Sequence, residues 1–208
     1  MPMDVSFIAG PQTYGDGTKG TPRMDRSGAQ VAVEGGGKWQ ELTRLGQMFT
    51  GSTAAAGVNI PIHTSTTQQF VLSNPLSNKK YAVLKSCYAG YVSGAPVIGF
   101  FDYVVQTVFT NAAPTGTAGT IVNNLLGGPT SSMSILTAAT VVAGTLLRPF
   151  ISVYTTTAGQ PGLFLKDDID GSIIVPPGGW IALAANAATF GTHACSFEWA
   201  ELPSAWCS

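Results

Sequence analysis

The sequence predicts an all-β protein, a jelly-roll-like antiparallel β-sandwich preceded by an extended N-terminal arm. Three observations predict it. From Val58 onward, short runs rich in Val, Ile, Tyr, Phe and Thr are separated by turns that contain Gly or Pro. Helical periodicity is nearly absent from the same region, and residues 1–57 are Gly-rich and polar. β-branched and aromatic residues suit a pleated, half-buried surface, and about eight to ten short strands are typical of a sandwich.

Residues 1–57 are predicted to form the arm, because stretches such as Gly35-Gly36-Gly37 cannot build a core. Hydrophobic residues between Lys38 and Phe49 recur every three or four positions, which predicts one short amphipathic helix. Gly46 opposes this helix, since glycine is a weak helix former. The sandwich domain is predicted over residues 58–208.

The strands are assigned from alternation and from turn signals such as Asn74-Pro75 and Pro176-Pro177-Gly178-Gly179. We expect the ranges 180–185 and 193–202 to form the closing pair of strands. The region 125–147 leaves a short helix open as an alternative. The predicted strands are 66–73, 81–92, 96–109, 120–126, 132–147, 148–156, 171–175, 180–185 and 193–202.

The scarcity of charge is the most informative property of the composition. Charged residues make up 10% of the chain, against roughly 25% in a typical soluble protein. A free monomer normally keeps a charged surface of mixed sign, so we expect much of this surface to be covered by neighbouring subunits. A membrane is the other environment that suits such a chain, but no run of about 20 apolar residues and no signal-peptide pattern is found.

The charge balance and the cysteines narrow the partners further. A net charge of −1 gives no basic surface for nucleic acid, and we expect neither nucleic acid nor a membrane as partner. The three cysteines are odd in number and lack a Cys-x-x-Cys spacing, which favours free thiols in a cytosolic setting over a disulfide framework.

No catalytic, cofactor-binding or metal-binding motif stands out. His63 and His193 lack a nearby His partner, and a hydrolase would need one of them beside a carboxylate in a pocket. Asp167, Asp168 and Asp170 are either a solvated turn, with Gly171 at positive φ, or ligands of a cation such as calcium. We therefore expect a protein that is not an enzyme and carries no cofactor.

Two segments resemble structural proteins of tailed bacteriophages. Residues 49–85, FTGSTAAAGVNIPIHTSTTQQFVLSNPLSNKKYAVLK, have their Thr-rich strand, apolar strand, Asn-Pro turn and Lys-ended strand. Residues 171–203, GSIIVPPGGWIALAANAATFGTHACSFEWAELP, have their Pro-Pro-Gly turn and a final strand with an aromatic-acidic ending. The resemblance implies a virion component, most fittingly a capsid decoration or cement protein. Its partner would be the major capsid protein, its place the capsid surface after assembly in the host cytoplasm.

Such a protein is expected to act as a homodimer or homotrimer and to bind through its arm. Phe7, Ile8, Trp39 and Phe49 are the predicted anchors, because buried aromatic and aliphatic groups dominate interfaces. Packing within their own sandwich is the alternative role of Trp39 and Phe49. The alternative function is a head spike, fibre or tail component that binds a receptor or glycan. Its sugar-stacking candidates are Tyr88, Tyr91 and Trp180.

Overall fold

The structure is a computed structural model that describes residues 38–94, 98–106, 113–153, 164–187 and 191–203. The chain divides into two units, Met1–Glu41 and Leu42–Ser208. All strands of the described residues belong to the second unit.

The described part of the chain is almost entirely β-structure, with one short helix, α1, at Lys38–Arg44. Turn residues at the strand ends divide it into many short elements. The strands are β1 Met48–Ser52, β2 Val58–Asn59, β3 Thr67–Gln68, β4 Val71–Ser73, β5 Lys80–Ser93, β6 Gly99–Val105, β7 Thr115–Ala118, β8 Thr120–Asn123, β9 Ser134–Thr140, β10 Thr145–Val153, β11 Phe164–Asp168, β12 Ile174–Val175, β13 Trp180–Ala185 and β14 Thr192–Pro203.

The strands form two antiparallel sheets that pack as a sandwich. The first sheet has the order β11-β5-β14-β1-β8, and the second has the order β10-β6-β13-β4-β9-β3. Four pairs nest inside one another along the chain: β1 with β14, β4 with β13, β5 with β11, and β6 with β10. The two strands of each pair lie in the same sheet, and the pairs alternate between the sheets. This is the order of a jelly roll, so the predicted jelly-roll-like sandwich is confirmed.

An insertion makes the two sides of the sandwich unequal. Strands β7, β8 and β9 lie between β6 and β10 in sequence, and they extend both sheets, β8 beside β1 and β9 beside β4. On the opposite side, the outer strands of the described residues are β10 in one sheet and β11 and β12 in the other. We call this the open side.

The core between the sheets is built from inward-facing aromatic and aliphatic side chains. Phe70 stacks on Phe197 at 4.8 Å between ring centroids, and Phe49 stacks on Trp199 at 6.1 Å. All four are essentially buried. Each of these two ring pairs joins residues that are far apart in sequence. The core therefore depends on the complete topology rather than on any one hairpin.

The predicted helix over residues 38–49 is wrong at its C-terminal end. Gly46 has φ of +68°, its N–H donates to Thr43 O, and the N–H of Gln47 donates to Leu42 O, each at 2.9 Å. This is the Schellman arrangement, in which a left-handed glycine ends a helix. Met48 is therefore released into a strand.

The first strand of the sandwich precedes the predicted domain boundary at residue 57. β1 lies inside the first sheet, with β14 on one side and β8 on the other. The sandwich therefore begins before residue 57. The signal was hidden because β1 is only five residues long and has a glycine, Gly51, as its fourth residue.

Each remaining predicted range contains a strand, but 66–73 is divided into β3 and β4, and 132–147 into β9 and the start of β10. The parts of the predicted strands at 96–97, 107–109 and 154–156 lie outside the described residues. The range 180–185 is β13 as predicted, and 193–202 falls within β14. They do not form a closing pair, however, because β13 lies in the second sheet and β14 in the first. The alternative helix in 125–147 is not observed; that region holds β9 and the start of β10.

Candidate interaction surfaces

Most charged side chains of the sandwich neutralise one another. Four carboxylates among the described residues each lie within salt-bridge distance of a lysine or arginine. This pairing leaves few charges to define a surface potential. The pairs are Lys80–Glu201 at 3.1 Å, Lys85–Glu198 at 3.1 Å, Arg148–Asp167 at 2.9 Å and Lys166–Asp168 at 2.7 Å.

Glu201 is the most deeply placed of these carboxylates, with 1% of its surface exposed. It accepts from the hydroxyls of Ser131 and Ser132, from the Ser132 N–H and from Lys80. Burial raises the pKa of Glu201, but these bonds outweigh burial and hold the pKa below its ordinary value. The contacts fasten the loop between β8 and β9 to β14.

Glu198 lies on the outer face of the first sheet. It accepts from Ser86 Oγ at 2.6 Å and from Tyr88 Oη at 3.2 Å, and it pairs with Lys85. Burial raises the pKa of Glu198, whereas these three partners lower it, and the net shift is downward. The carboxylate is therefore ionised at neutral pH and fixed in place.

The three aspartates after β10 do not converge on one point. Asp167 accepts from Tyr103 Oη and from Arg148, both at 2.9 Å, while Asp168 pairs with Lys166. Asp170 follows at a φ of +48°. No group of three metal-ligating side chains occurs among the described residues. The predicted positive φ at Gly171, +84°, is confirmed.

His63 contacts a carboxylate that lies 39 positions away in sequence. Its Nδ1 is 3.2 Å from Oδ2 of Asp102, which is fully buried on β6, whereas the His63 side chain is 30% exposed. Burial raises the pKa of Asp102, and His63 opposes that rise. Within the described residues, the His63 ring has no other hydrogen-bond partner. The structure thus brings together a His–Asp pair, and no serine, threonine or cysteine of the described residues hydrogen-bonds to His63.

His193 is buried beneath aromatic rings. Its ring meets Phe101 edge-on at 5.0 Å and Tyr91 at 5.8 Å between centroids. Burial lowers the pKa of His193, although a contact with the Gly191 carbonyl partly opposes this. The residue is therefore a neutral part of the core.

The predicted interface anchors fall into three groups. Phe7 and Ile8 lie outside the described residues. Trp39 is half-buried on α1. Phe49 takes its alternative role, because it is 1% exposed in the core and stacks on Trp199. It is not available to a partner in the folded sandwich.

The predicted sugar-stacking residues also differ in their exposure. Trp180 is 1% exposed and belongs to a buried cluster on the second sheet. Tyr88 and Tyr91 are half-buried on β5. Tyr88 is already engaged, by Glu198 through its hydroxyl and by Lys166 Nζ at 5.9 Å from its ring centroid.

The surface feature that sequence reasoning missed is a set of exposed aliphatic residues around one corner of the sandwich. We call Leu45, Val122, Leu125 and Leu126 the corner patch. Leu126 is 86% exposed and the other three are 40–50% exposed. Leu125 lies close to Gly46, and Asn123 Nδ2 donates to the Gly46 carbonyl at 2.9 Å, so the two segments are adjacent. Only the fold brings them together.

No helix of the described residues is long and apolar enough to cross a membrane.

Compared with protein-family models, curated proteins and solved structures, the chain matches none. What is established is the class of architecture, an all-β antiparallel sandwich with jelly-roll strand order.

Proposed function

We propose that this protein is a non-enzymatic virion component, a capsid decoration or cement protein of a tailed bacteriophage. It binds the outer shell and stabilises contacts between major capsid subunits. The observation that carries the proposal is the corner patch, a group of exposed aliphatic side chains on a sandwich whose charges are mostly paired internally.

Physical chemistry supports this role in two ways. Covering apolar surface is favourable by about 25 cal/mol per Å², and the four side chains of the corner patch carry no charge that would have to be desolvated. Binding across a subunit boundary then stabilises the assembled shell by mass action, in proportion to occupancy. The same surface in a free monomer would favour self-association, which agrees with a dimer or trimer.

The arm is proposed to add reach to this contact. The 37 residues of the predicted arm that precede α1 would span at most roughly 120 Å if fully extended, far enough to pass from one subunit to the next. Phe7 and Ile8 remain the proposed anchors within it. Trp39 is proposed either as an anchor to the partner or, in the alternative, as a residue that packs within its own sandwich.

The test uses purified shells and sedimentation of the bound protein. Wild-type protein should co-sediment, whereas deletion of residues 1–30 or the substitution Leu126→Asp should abolish or strongly weaken binding. Ile98→Asp is the matched control. Ile98 is also well exposed, but it directly precedes β6 of the second sheet, whereas the corner patch lies beside β8 of the first sheet. Undiminished binding by both altered proteins, or absence of the protein from purified virions, would refute the proposal.

The alternative proposal is a head spike, fibre or tail component that binds a receptor or glycan. The half-buried Tyr88, next to Glu198 on the outer face of the first sheet, is the observation that favours it. Glycan-array binding that is lost in Tyr88→Ala would support this function over cementing.

A further inference from the structure

Residues 60–66 cross from the first sheet to the second, and we call them the strap. β2, before the strap, pairs with β14 of the first sheet, and β3, after it, pairs with β9 of the second. The last residue of β13, Ala185, fastens the strap through its backbone. Its carbonyl accepts from the His63 N–H and its N–H donates to Pro61 O, each at 2.9 Å. The strap therefore lies along the end of the second sheet.

One side chain of the strap reaches a carboxylate of that sheet. His63 Nδ1 is 3.2 Å from Asp102 Oδ2. Asp102 lies on β6 between Phe101 and Tyr103, which belong to the core between the sheets, so its side chain points to the opposite face. Asp102 is nevertheless fully buried, and its other oxygen, Oδ1, has no hydrogen-bond partner within the described part of the chain. The His63 ring is thus the polar group on which this carboxylate depends.

On the strands that adjoin Asp102 and the strap, no other ionisable group faces the pair. The residues opposite Asp102 are Pro149 on β10 and Ala184 on β13. Strands β2, β3, β9 and β13 carry no charged side chain. Arg148 of β10 points to the other face of the sheet, where it pairs with Asp167 of the first sheet. Among the described residues, the charge of the pair is therefore set by its own protons.

The burial of Asp102 decides how the pair responds to pH. A buried carboxylate without a compensating charge is costly, and a protonated His63 supplies that charge across the 3.2 Å contact. Loss of the shared proton leaves an ionised carboxylate beside a neutral ring. Burial raises the pKa of Asp102, although His63 opposes the rise. A raised acid stabilises the closed arrangement at low pH, and this stabilisation is lost as the pH rises through the raised value.

We infer that the His63–Asp102 pair is a proton-dependent clasp. It holds the strap on the second sheet while the pair carries a proton, and it loosens the strap when that proton leaves at higher pH. Loosening moves His63 away and lets water reach the ionised Asp102. The inference goes beyond the proposed function, since it concerns how this part of the fold responds to pH in whatever assembly the protein joins.

The test follows hydrogen exchange at the backbone N–H groups of His63 and Ala185 by NMR. Their protection, relative to an unstructured chain at the same pH, should fall by about tenfold or more between about pH 6 and about pH 9. One proton linked to opening changes the opening equilibrium by up to about tenfold per pH unit. The N–H of Thr53, which donates to Cys195 O at 2.9 Å in the first sheet, is the internal reference and should change little.

Three variants separate the clasp from a general effect of pH. Asp102→Asn removes the ionisable carboxyl, so the protection of the strap should no longer depend on pH. His63→Gln removes the positive charge, so loosening should begin at a lower pH than in the wild type. Asp168→Asn is the matched control, because its pair with Lys166 is exposed at the surface, and it should behave as the wild type. Thermal melts establish that each variant is folded.

Three results would overturn the inference: wild-type protection that is equal at both pH values, protection that is lost on acidification instead, or a pH dependence that survives in Asp102→Asn. If Asp102→Asn does not fold, His63→Gln decides, and loosening at the wild-type pH would overturn the clasp. Binding to shells is measured separately, so failure of the clasp is distinguishable from failure of the proposed function.

Discussion

Replacement of Glu201 by Gln should destabilise the sandwich far more than an ordinary ion-pair mutation. The carboxylate is 1% exposed and accepts from two serine hydroxyls, one backbone N–H and Lys80. Gln keeps the size but turns one acceptor oxygen into a donor that faces other donors. Losing charge-assisted hydrogen bonds of this kind costs about 1.5–3 kcal/mol each. Because Lys80 is 42% exposed and is re-solvated, we expect a total loss of about 2–4 kcal/mol.

The measurement is urea unfolding at pH 7, with Asp168→Asn as the control. Asp168 is 67% exposed and its pair with Lys166 lies at the surface, so its loss should cost less than about 1 kcal/mol. Ser132→Ala, which removes one donor, should fall between the two. Equal free energies of unfolding for Glu201→Gln and Asp168→Asn would refute the reasoning.

The pH dependence of the same variant follows from the sign of the shift. The pKa of Glu201 is lower in the folded protein than in the unfolded chain. Its stabilisation is therefore present above the ordinary glutamate pKa and is lost as the pH falls through the lowered value. The Gln variant should lack this part of the acid transition, so the stability difference from wild type should shrink towards low pH.

Three further predictions concern the core. Because burial lowers the pKa of His193, the unfolded chain takes up a proton at a higher pH than the folded protein, and the free energy of unfolding should fall as the pH drops below about 6.5. In His193→Phe, the melting temperature should depend less on pH over this range. An unchanged pH dependence would contradict this. A Cβ at Gly51 would lie 2.3 Å from Ile135 Cγ1, so Gly51→Ala should cost about 1–3 kcal/mol. Adding Ile135→Ala should relieve part of that cost, and strict additivity of the two would argue against the clash. Burial raises the pKa of the Cys87 and Cys195 thiols, so iodoacetamide should leave both unlabelled in the folded protein, as read by peptide mass mapping, and label them after unfolding.

The parts of the fold that sequence predicts well are those with local causes. The Asn74-Pro75 turn and the turn at Pro176–Gly179 were both visible, and they lie side by side, with Asn74 N–H donating to Gly179 O and Gly178 N–H donating to Asn74 O. The Pro-Pro-Gly-Gly break likewise placed the start of β13 at Trp180. Each signal is contained within a few neighbouring residues.

The parts that sequence missed depend on partners far along the chain. Alternation identifies a strand but not the strand beside it, so β13 and β14 were paired although they lie in different sheets. The His63–Asp102 contact and the corner patch arise in the same way, from segments that meet only after the sheets close.

The place of β14 in the first sheet has a consequence for biosynthesis. β14 lies between β5 and β1, pairing with β5 along its whole length and with β1 over five residues. A nascent polypeptide that lacks residues 192–203 therefore leaves a gap through the middle of this sheet, with two apolar strand edges facing it. The protein should acquire its fold only after translation has passed that point, and slowly, as long-range β-topologies do. Until then it depends on low concentration or on chaperones to escape aggregation.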